Sequence, residues 1–191
     1  MSTPTPVSGF VLAGGESRRM GRDKALLDWH GSTLLDHMTN LLGTVCTEVR
    51  IVGRDELPDR SSGRGPIEGI ATALRVSHTE DNILVAVDLP LLTQDFLNYF
   101  KERLNQSTRL LVVCNVDSRY PMCLGIRRSL YATVEDYVSS GKRSVQGFVR
   151  GTSCEVIAAS QLVPQGFPTR IFSNINTYAE YRAALLADKP L

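Results

Sequence analysis

Apolar residues are distributed along the chain in two alternating patterns. Short unbroken apolar runs predict strands buried on both faces, and the clearest run covers residues 83–87. Elsewhere apolar residues recur at helical spacing, as in Leu34, Met38 and Leu41, which predicts a helix with one buried face. Further strands are predicted at residues 10–13, 49–52, 110–114, 122–126 and 155–158. Helices are predicted to begin at or near Thr33, Pro66, Thr93, Leu130, Val145 and Thr177.

Strands that alternate with helices predict an α/β fold, in which helices cover both faces of a mostly parallel sheet. The sequence has no internal repeat, low-complexity tract or linker, so we expect one domain over residues 1–191, with flexible tails at 1–8 and 188–191. In such sheets, ligands bind beyond the carboxyl ends of the strands. The loops after Ala13 and Val87 are therefore the expected positions of a binding site.

Composition narrows the classes of function. The 21 basic and 20 acidic residues give a net charge of +1, which argues against nucleic acid as a partner. No apolar run approaches the roughly 18 residues of a membrane span, and residues 1–10 do not resemble a secretory signal. We therefore expect a cytoplasmic protein with no membrane contact. The four cysteines and three histidines are too scattered for a disulfide framework or a zinc site, and the cysteines are expected to be buried.

The loop after the first strand combines glycines with positive charge. Gly14 and Gly15 would let backbone N–H groups approach a ligand closely, as in loops that hold phosphate. Arg18, Arg19 and Lys24 add positive charge suited to a triphosphate. The spacing fits neither a P-loop nor a Rossmann fingerprint, so an ordinary basic turn is the alternative interpretation.

Three other segments carry candidate chemistry. Asp88 follows the strand at 83–87 and could hold Mg²⁺ between protein and phosphates, or it could cap the next turn. Asn174 and Asn176 could ligate a metal or bind a substrate, although Asn176 or Thr177 could equally cap the last helix. Arg143 is a loop cation whose default interpretation is a solvated turn.

Taken in order, these segments resemble a known family. Residues 12–27 read LAGGESRRMGRDKALL, which is similar to the signature of the molybdenum cofactor guanylyltransferases. These enzymes are part of the wider group of sugar-nucleotide-type nucleotidyltransferases, which have a Rossmann-like α/β fold. The resemblance continues through shorter segments at 65–69, 87–90, 141–145 and 174–177.

The resemblance implies a reaction in which GMP is transferred from GTP to molybdenum-molybdopterin, with release of pyrophosphate and use of Mg²⁺. Molybdoenzymes or their chaperones would be further partners. The residues implied for nucleotide binding are Leu12, Ala13, Gly14, Gly15, Lys24, Asp59 and Asp88, with Asp88 also binding the metal. Those expected to act on the triphosphate are Arg19, Lys24 and Asp88. Those expected to guide the pterin are Arg18, Arg143, Asn174 and Asn176.

The chain departs from the family pattern at two points. The family often has an Asn at the end of the second strand, where this sequence has Val52-Gly53. It also tends to have an Asp shortly before the Gly-Pro segment, which Asp59 matches only across a small gap. The Leu-Ala-Gly-Gly opening resembles the guanylyl branch. A cytidylyltransferase, another small-molecule nucleotidyltransferase and a non-catalytic nucleotide-binding module are the alternatives.

Overall fold

A central sheet organises the protein. The structure, a computed structural model, describes residues 5–14, 23–54, 57–58 and 65–188. The strands in these ranges are β1 (Val7–Leu12), β2 (Asp28–Trp29), β3 (Ser32–Thr33), β4 (Glu48–Val52), β5 (Asp81–Ala86), β6 (Leu111–Asn115), β7 (Cys123–Arg127) and β8 (Glu155–Ala158). Six of these strands form the sheet in the order β4-β1-β5-β7-β6-β8, and β2 and β3 form a separate hairpin.

The sheet is mostly parallel, which confirms the predicted α/β class. Only β7 runs antiparallel to its neighbours β5 and β6, because a short excursion rather than a helix joins β6 to β7. The other five strands therefore present their carboxyl ends at one edge of the sheet. This edge carries the loops in which the sequence predicts a binding site.

The helices begin at or next to the predicted residues, except for the short helix α6, which was not predicted. In the described ranges they are α1 (Leu34–Gly43), α2 (Pro66–Val76), α3 (Gln94–Gln106), α4 (Tyr131–Ser139), α5 (Val145–Gly151), α6 (Ala159–Leu162) and α7 (Tyr178–Ala187). Thr33, Thr93, Ser144 and Thr177 each accept a hydrogen bond from a backbone N–H in the first turn of the helix that follows. Pro66 occupies the first position of α2. No helix in the described part of the chain is long and apolar enough to cross a membrane.

Side chains on the two faces of the sheet form two separate cores. Val11 packs with α1, α3 and α7 on one face, whereas Phe10 and Leu12 pack with α2, α4 and α5 on the other. Successive residues of a strand point to opposite faces, so a run of apolar residues serves both cores. The result is the predicted arrangement of helices on both sides of a sheet.

The structure corrects two expectations at the level of elements. The flexible tail expected at residues 1–8 is too long, because Val7 and Ser8 are buried in β1 and pair with β5 and β4. The cysteines are all free thiols, but Cys46 and Cys154 are half-buried instead of buried. Of the tail expected at 188–191, Asp188 is described and lies 3.3 Å from Nε2 of His30 through Oδ2.

Candidate active site

The ends of β1, β4 and β5 are joined by backbone hydrogen bonds just beyond the sheet. The N–H of Ala13 donates to the carbonyl of Val52 at 2.9 Å, and the N–H of Val87 donates to the carbonyl of Leu12 at 3.1 Å. Leu12 and Ala13 are 8% and 5% exposed, whereas Gly14 is exposed. A ligand at this edge therefore meets the backbone of the turn at Gly14 first.

Gly53 packs directly against this turn. It has a φ of +85°, and a Cβ atom at this position would lie 2.3 Å from Cα of Gly14. Any other residue would therefore force the two backbones apart. The close contact explains why this position after β4 requires glycine.

Three predicted site residues, far apart in sequence, converge at the same edge. Nζ of Lys24 donates to Oδ2 of Asp88 at 3.0 Å and to Oδ1 of Asn176 at 3.2 Å. The side chains of Lys24 and Asp88 are 19% and 15% exposed, so the pair is partly withdrawn from water. A charged contact in this setting is stronger than one on the open surface.

The backbone of Asp88 is hydrogen-bonded, and one of its two carboxylate oxygens has no hydrogen-bond partner within the described ranges. Its carbonyl accepts the N–H of Ile175 at 3.0 Å, which joins the end of β5 to the segment before α7. Its Oδ1 is buried and has no hydrogen-bond partner within the described ranges. Because Oδ2 bonds to Lys24, the carboxylate faces the site and does not cap the following turn.

Asn176 and Thr177 divide the two roles that the sequence left open. The side chain of Thr177 caps α7, and the side chain of Asn176 faces Lys24. Glu180 completes the cap, because its Oε2 accepts the N–H groups of Asn176 at 2.7 Å and Thr177 at 2.8 Å. These N–H groups lower the pKa of the Glu180 carboxyl, the one from Asn176 having the largest effect. Asn174 is exposed, two residues before Asn176.

An arginine that was not among the predicted site residues contacts Asp23, the residue before Lys24. The Nη1 and Nη2 atoms of Arg54 donate to the two carboxylate oxygens of Asp23 at 2.5 and 2.6 Å. This hydrogen bonding holds the pKa of the Asp23 carboxyl below its ordinary value. A single arginine after a strand matches no motif. The available signal was Asp23 itself, an N-cap residue placed directly before the candidate lysine.

Arg143 lies in the exposed loop between α4 and α5. Its carbonyl oxygen would be 3.6 Å from a Cβ atom on Gly65, so this loop lies against the residue that precedes α2. The structure thus brings together two of the short segments that carry the family resemblance. Four other predicted site residues, Gly15, Arg18, Arg19 and Asp59, lie outside the described residues.

The cysteine thiols are poor candidates for nucleophiles. Burial raises the pKa of the Cys46 and Cys114 thiols to about 12 each, and it raises the pKa of the Cys123 thiol well above its ordinary value. A thiolate is the reactive form of cysteine, so these side chains stay inert near neutral pH. The chemistry of the site therefore falls to Lys24, Asp88 and the groups around them.

Comparison with known proteins gives a consistent result. Residues 9–157 match the model of the MobA-like NTP transferase domain. The chain is 31% identical to a protein of Carboxydothermus hydrogenoformans named "Probable molybdenum cofactor guanylyltransferase", over 92% of this chain and 93% of that one. It is 30% identical to a protein of the same name from Mycobacterium tuberculosis, over 94% of each chain.

Among solved structures, the fold is similar to that of molybdopterin-guanine dinucleotide biosynthesis protein A from Archaeoglobus fulgidus. The TM-score is 0.77 at 20% sequence identity, over 94% of this chain and 97% of that one. At this identity the likeness concerns the fold.

Proposed function

This chain belongs to the MobA-like NTP transferase family and is a nucleotidyltransferase, and we propose that it transfers GMP from GTP to molybdenum-molybdopterin. The observation that carries this proposal is the contact of Lys24 with Asp88 and Asn176 at the edge of the sheet where β1 and β5 end. The relatives named molybdenum cofactor guanylyltransferase support the choice of substrates, because they match this chain over nine-tenths of its length.

The turn formed by Leu12, Ala13 and Gly14 is the proposed site for guanine and ribose. Hydrogen bonds to β4 and β5 fix this turn, so the backbone at Gly14 is already in place when the nucleotide arrives. Guanine has an acceptor at O6 beside donors at N1 and N2, a pattern that adenine lacks. Backbone N–H and C=O groups that pair with this pattern would be left unpaired by the wrong base, at a cost of about 1–3 kcal/mol each.

Asp88 is the residue that would hold Mg²⁺. Its buried Oδ1 has no hydrogen-bond partner within the described ranges and is therefore available to a cation. No cluster of three or more acidic, histidine or cysteine side chains that could hold a metal occurs in the part of the chain that the structure describes. One carboxylate plus the phosphates of the nucleotide is an arrangement that suits Mg²⁺. When bound, the metal would draw charge from the phosphate oxygens.

The reaction needs alignment and charge neutralisation by this chain. A terminal phosphate oxygen of molybdopterin attacks the α-phosphorus of GTP, the bond from that phosphorus to the bridging oxygen breaks, and pyrophosphate leaves. Lys24, with its ammonium group oriented by Asp88 and Asn176, would neutralise the triphosphate. We assign Arg19 the same role.

Two of the proposed pterin-binding residues lie on exposed segments of the described chain. Arg143 and Asn174 are both exposed and can meet a large anionic substrate without rearrangement of the core. Together with Arg18 and Asn176, they would guide the terminal phosphate of molybdopterin towards the nucleotide. The product would pass to molybdoenzymes or their chaperones.

A pyrophosphate-release assay tests the proposal. The enzyme is incubated with Mg²⁺, molybdenum-molybdopterin and one of GTP, CTP or ATP. We expect release with GTP that depends on the pterin, and much slower release with the other two nucleotides. Faster release with CTP would identify a cytidylyltransferase, and binding of GTP without any release would identify a non-catalytic nucleotide-binding protein.

A further inference from the structure

Two consecutive residues after β4 contact both described ends of the glycine-rich loop. Gly53 packs against Gly14, where the loop begins, and Arg54 bonds to Asp23, where the described chain resumes. Gly53 is also hydrogen-bonded beyond β4, because its N–H donates to the carbonyl of Leu57 at 2.8 Å. Neighbouring residues of one segment therefore contact both described ends of the loop.

The contact with Arg54 is transmitted to Lys24 through a short 3-10 helix, Lys24–Leu26. Asp23 caps this helix by accepting the N–H of Ala25 at 3.1 Å. The other end of the helix is tied to α1, since the N–H of Leu34 donates to the carbonyl of Leu27 at 2.9 Å. Lys24 thus projects from a helix that is held at both ends.

The hydrogen bonds from Arg54 can hold Asp23, and with it the start of the 3-10 helix, in a defined position. Two parallel hydrogen bonds from one guanidinium to one carboxylate fix orientation as well as distance, which a lysine ammonium cannot do. The side chains of Arg54 and Asp23 are 31% and 35% exposed, so the pair is partly shielded from water. A pair with this geometry can keep the start of the helix in one position.

We propose that Arg54 is a positioning residue, which holds Asp23 and thereby aims Lys24 at the phosphates of the nucleotide. Arg54 acts through Lys24 and is not assigned any contact with substrate. The inference rests on the proposed role of Lys24 in nucleotide transfer. Through Gly53 and Arg54, the end of β4 contacts both Gly14, in the proposed base site, and Asp23, next to the lysine proposed to bind the phosphates.

The decisive experiment is a double-mutant cycle on kcat/KM for GTP with Arg54→Ala, Lys24→Ala and the double variant. We expect Arg54→Ala to lower kcat/KM about tenfold, as the loss of a charge-assisted pair would. If Arg54 acts through Lys24, adding Arg54→Ala to Lys24→Ala lowers kcat/KM by less than about twofold. Guanidinium ions at millimolar concentration should partly restore activity to Arg54→Ala, because they can occupy the space of the missing group.

Arg103→Ala is the matched control. Arg103 also bonds to a carboxylate through two nitrogens, but its partner Glu155 lies in β8 at the far edge of the sheet. We expect this variant to lose as much thermal stability as Arg54→Ala while kcat/KM is unchanged and guanidinium has no effect. Arg54→Lys and Asp23→Asn are conservative changes that each remove the pair of parallel hydrogen bonds. Both should lower kcat/KM for GTP about as much as Arg54→Ala does.

The inference would be overturned if the loss of kcat/KM in the double variant equalled the product of the losses in the two single variants. A wild-type kcat/KM in Arg54→Lys would overturn it as well. The outcome is separable from that of the proposed function. If the wild-type enzyme forms no guanylylated pterin, the proposed function fails, and the same cycle is measured on the Kd of Mg²⁺-GTP by calorimetry. Independent effects of the two substitutions on that Kd would then contradict the positioning role.

Discussion

Asp88 shows how much of the site depends on one carboxylate. Its Oδ2 bonds to Lys24, and its buried Oδ1 has no hydrogen-bond partner within the described ranges, so in the proposed function one charge would serve both Lys24 and Mg²⁺. Asp88→Asn keeps the size of the side chain but removes the charge that Mg²⁺ requires. We expect loss of turnover by at least about 100-fold, or roughly 2.7 kcal/mol, with little change in Tm.

Asp136→Asn provides the control for this change, since Asp136 is exposed on α4. It should have wild-type activity in the same pyrophosphate-release assay. Near-normal turnover of Asp88→Asn would rule out the metal role of Asp88.

The proposed role of Arg143 is tested by measuring the binding of each substrate separately. If its loop guides the pterin, Arg143→Ala should raise KM for molybdenum-molybdopterin about tenfold, as expected for loss of a charge-assisted contact, and leave the Kd of GTP unchanged. Lys142→Ala is the control from the same loop, because the Lys142 ammonium lies 5.3 Å from the ring centre of Tyr137. An equal loss of GTP affinity in Arg143→Ala would place this loop at the nucleotide instead.

At the scale of elements, α7 is anchored to the site through its N-terminal cap. Glu180→Gln weakens the acceptor for the N–H groups of Asn176 and Thr177 and should loosen the contact of Asn176 with Lys24. We expect kcat/KM for GTP to fall about threefold to tenfold, in line with the loss of a helix cap. Glu102→Gln, on the exposed face of α3, should have no such effect.

The same cap predicts a pH dependence of stability. The pKa of Glu180 is lower in the folded protein than its ordinary value. Its contribution to stability is therefore complete above the ordinary range of Glu and is lost as the pH falls through the folded pKa. The Tm difference between wild type and Glu180→Gln should narrow as the pH is lowered through that range. A constant difference would contradict this account of the cap.

The elements that were predictable from sequence are those with a local signal. Threonine caps, Pro66 and the helical spacing of apolar residues marked the helices except α6, and short apolar runs marked most strands. These signals depend on neighbouring residues alone. The start of β1 was missed because Gly9 interrupts the run of apolar residues. The structure gives a reason for this glycine, since a Cβ atom there would lie 2.8 Å from the side chain of Leu42. The hairpin of β2 and β3 was missed because two residues per strand carry no periodicity.

At the scale of the whole molecule, the sheet determines which segments can meet. Alternating strands and helices predicted that the loops after β1 and β5 share one edge, and Lys24 and Asp88 do lie in contact there. The bond between Asp23 and Arg54 was not predictable, since the two residues are 31 positions apart and only tertiary packing brings them together. Sequence therefore indicated the edge and its charged residues, whereas the structure supplied the contacts between them.

The most direct test of the proposed reaction follows the two ends of the triphosphate separately. The enzyme is incubated with Mg²⁺, molybdenum-molybdopterin and GTP that carries a label on either the α- or the γ-phosphate. We predict that the α-label appears in a pterin–guanine dinucleotide and that the γ-label appears only in pyrophosphate. Transfer of the γ-label to the pterin, or recovery of both labels in unreacted GTP, would contradict transfer of GMP by this protein.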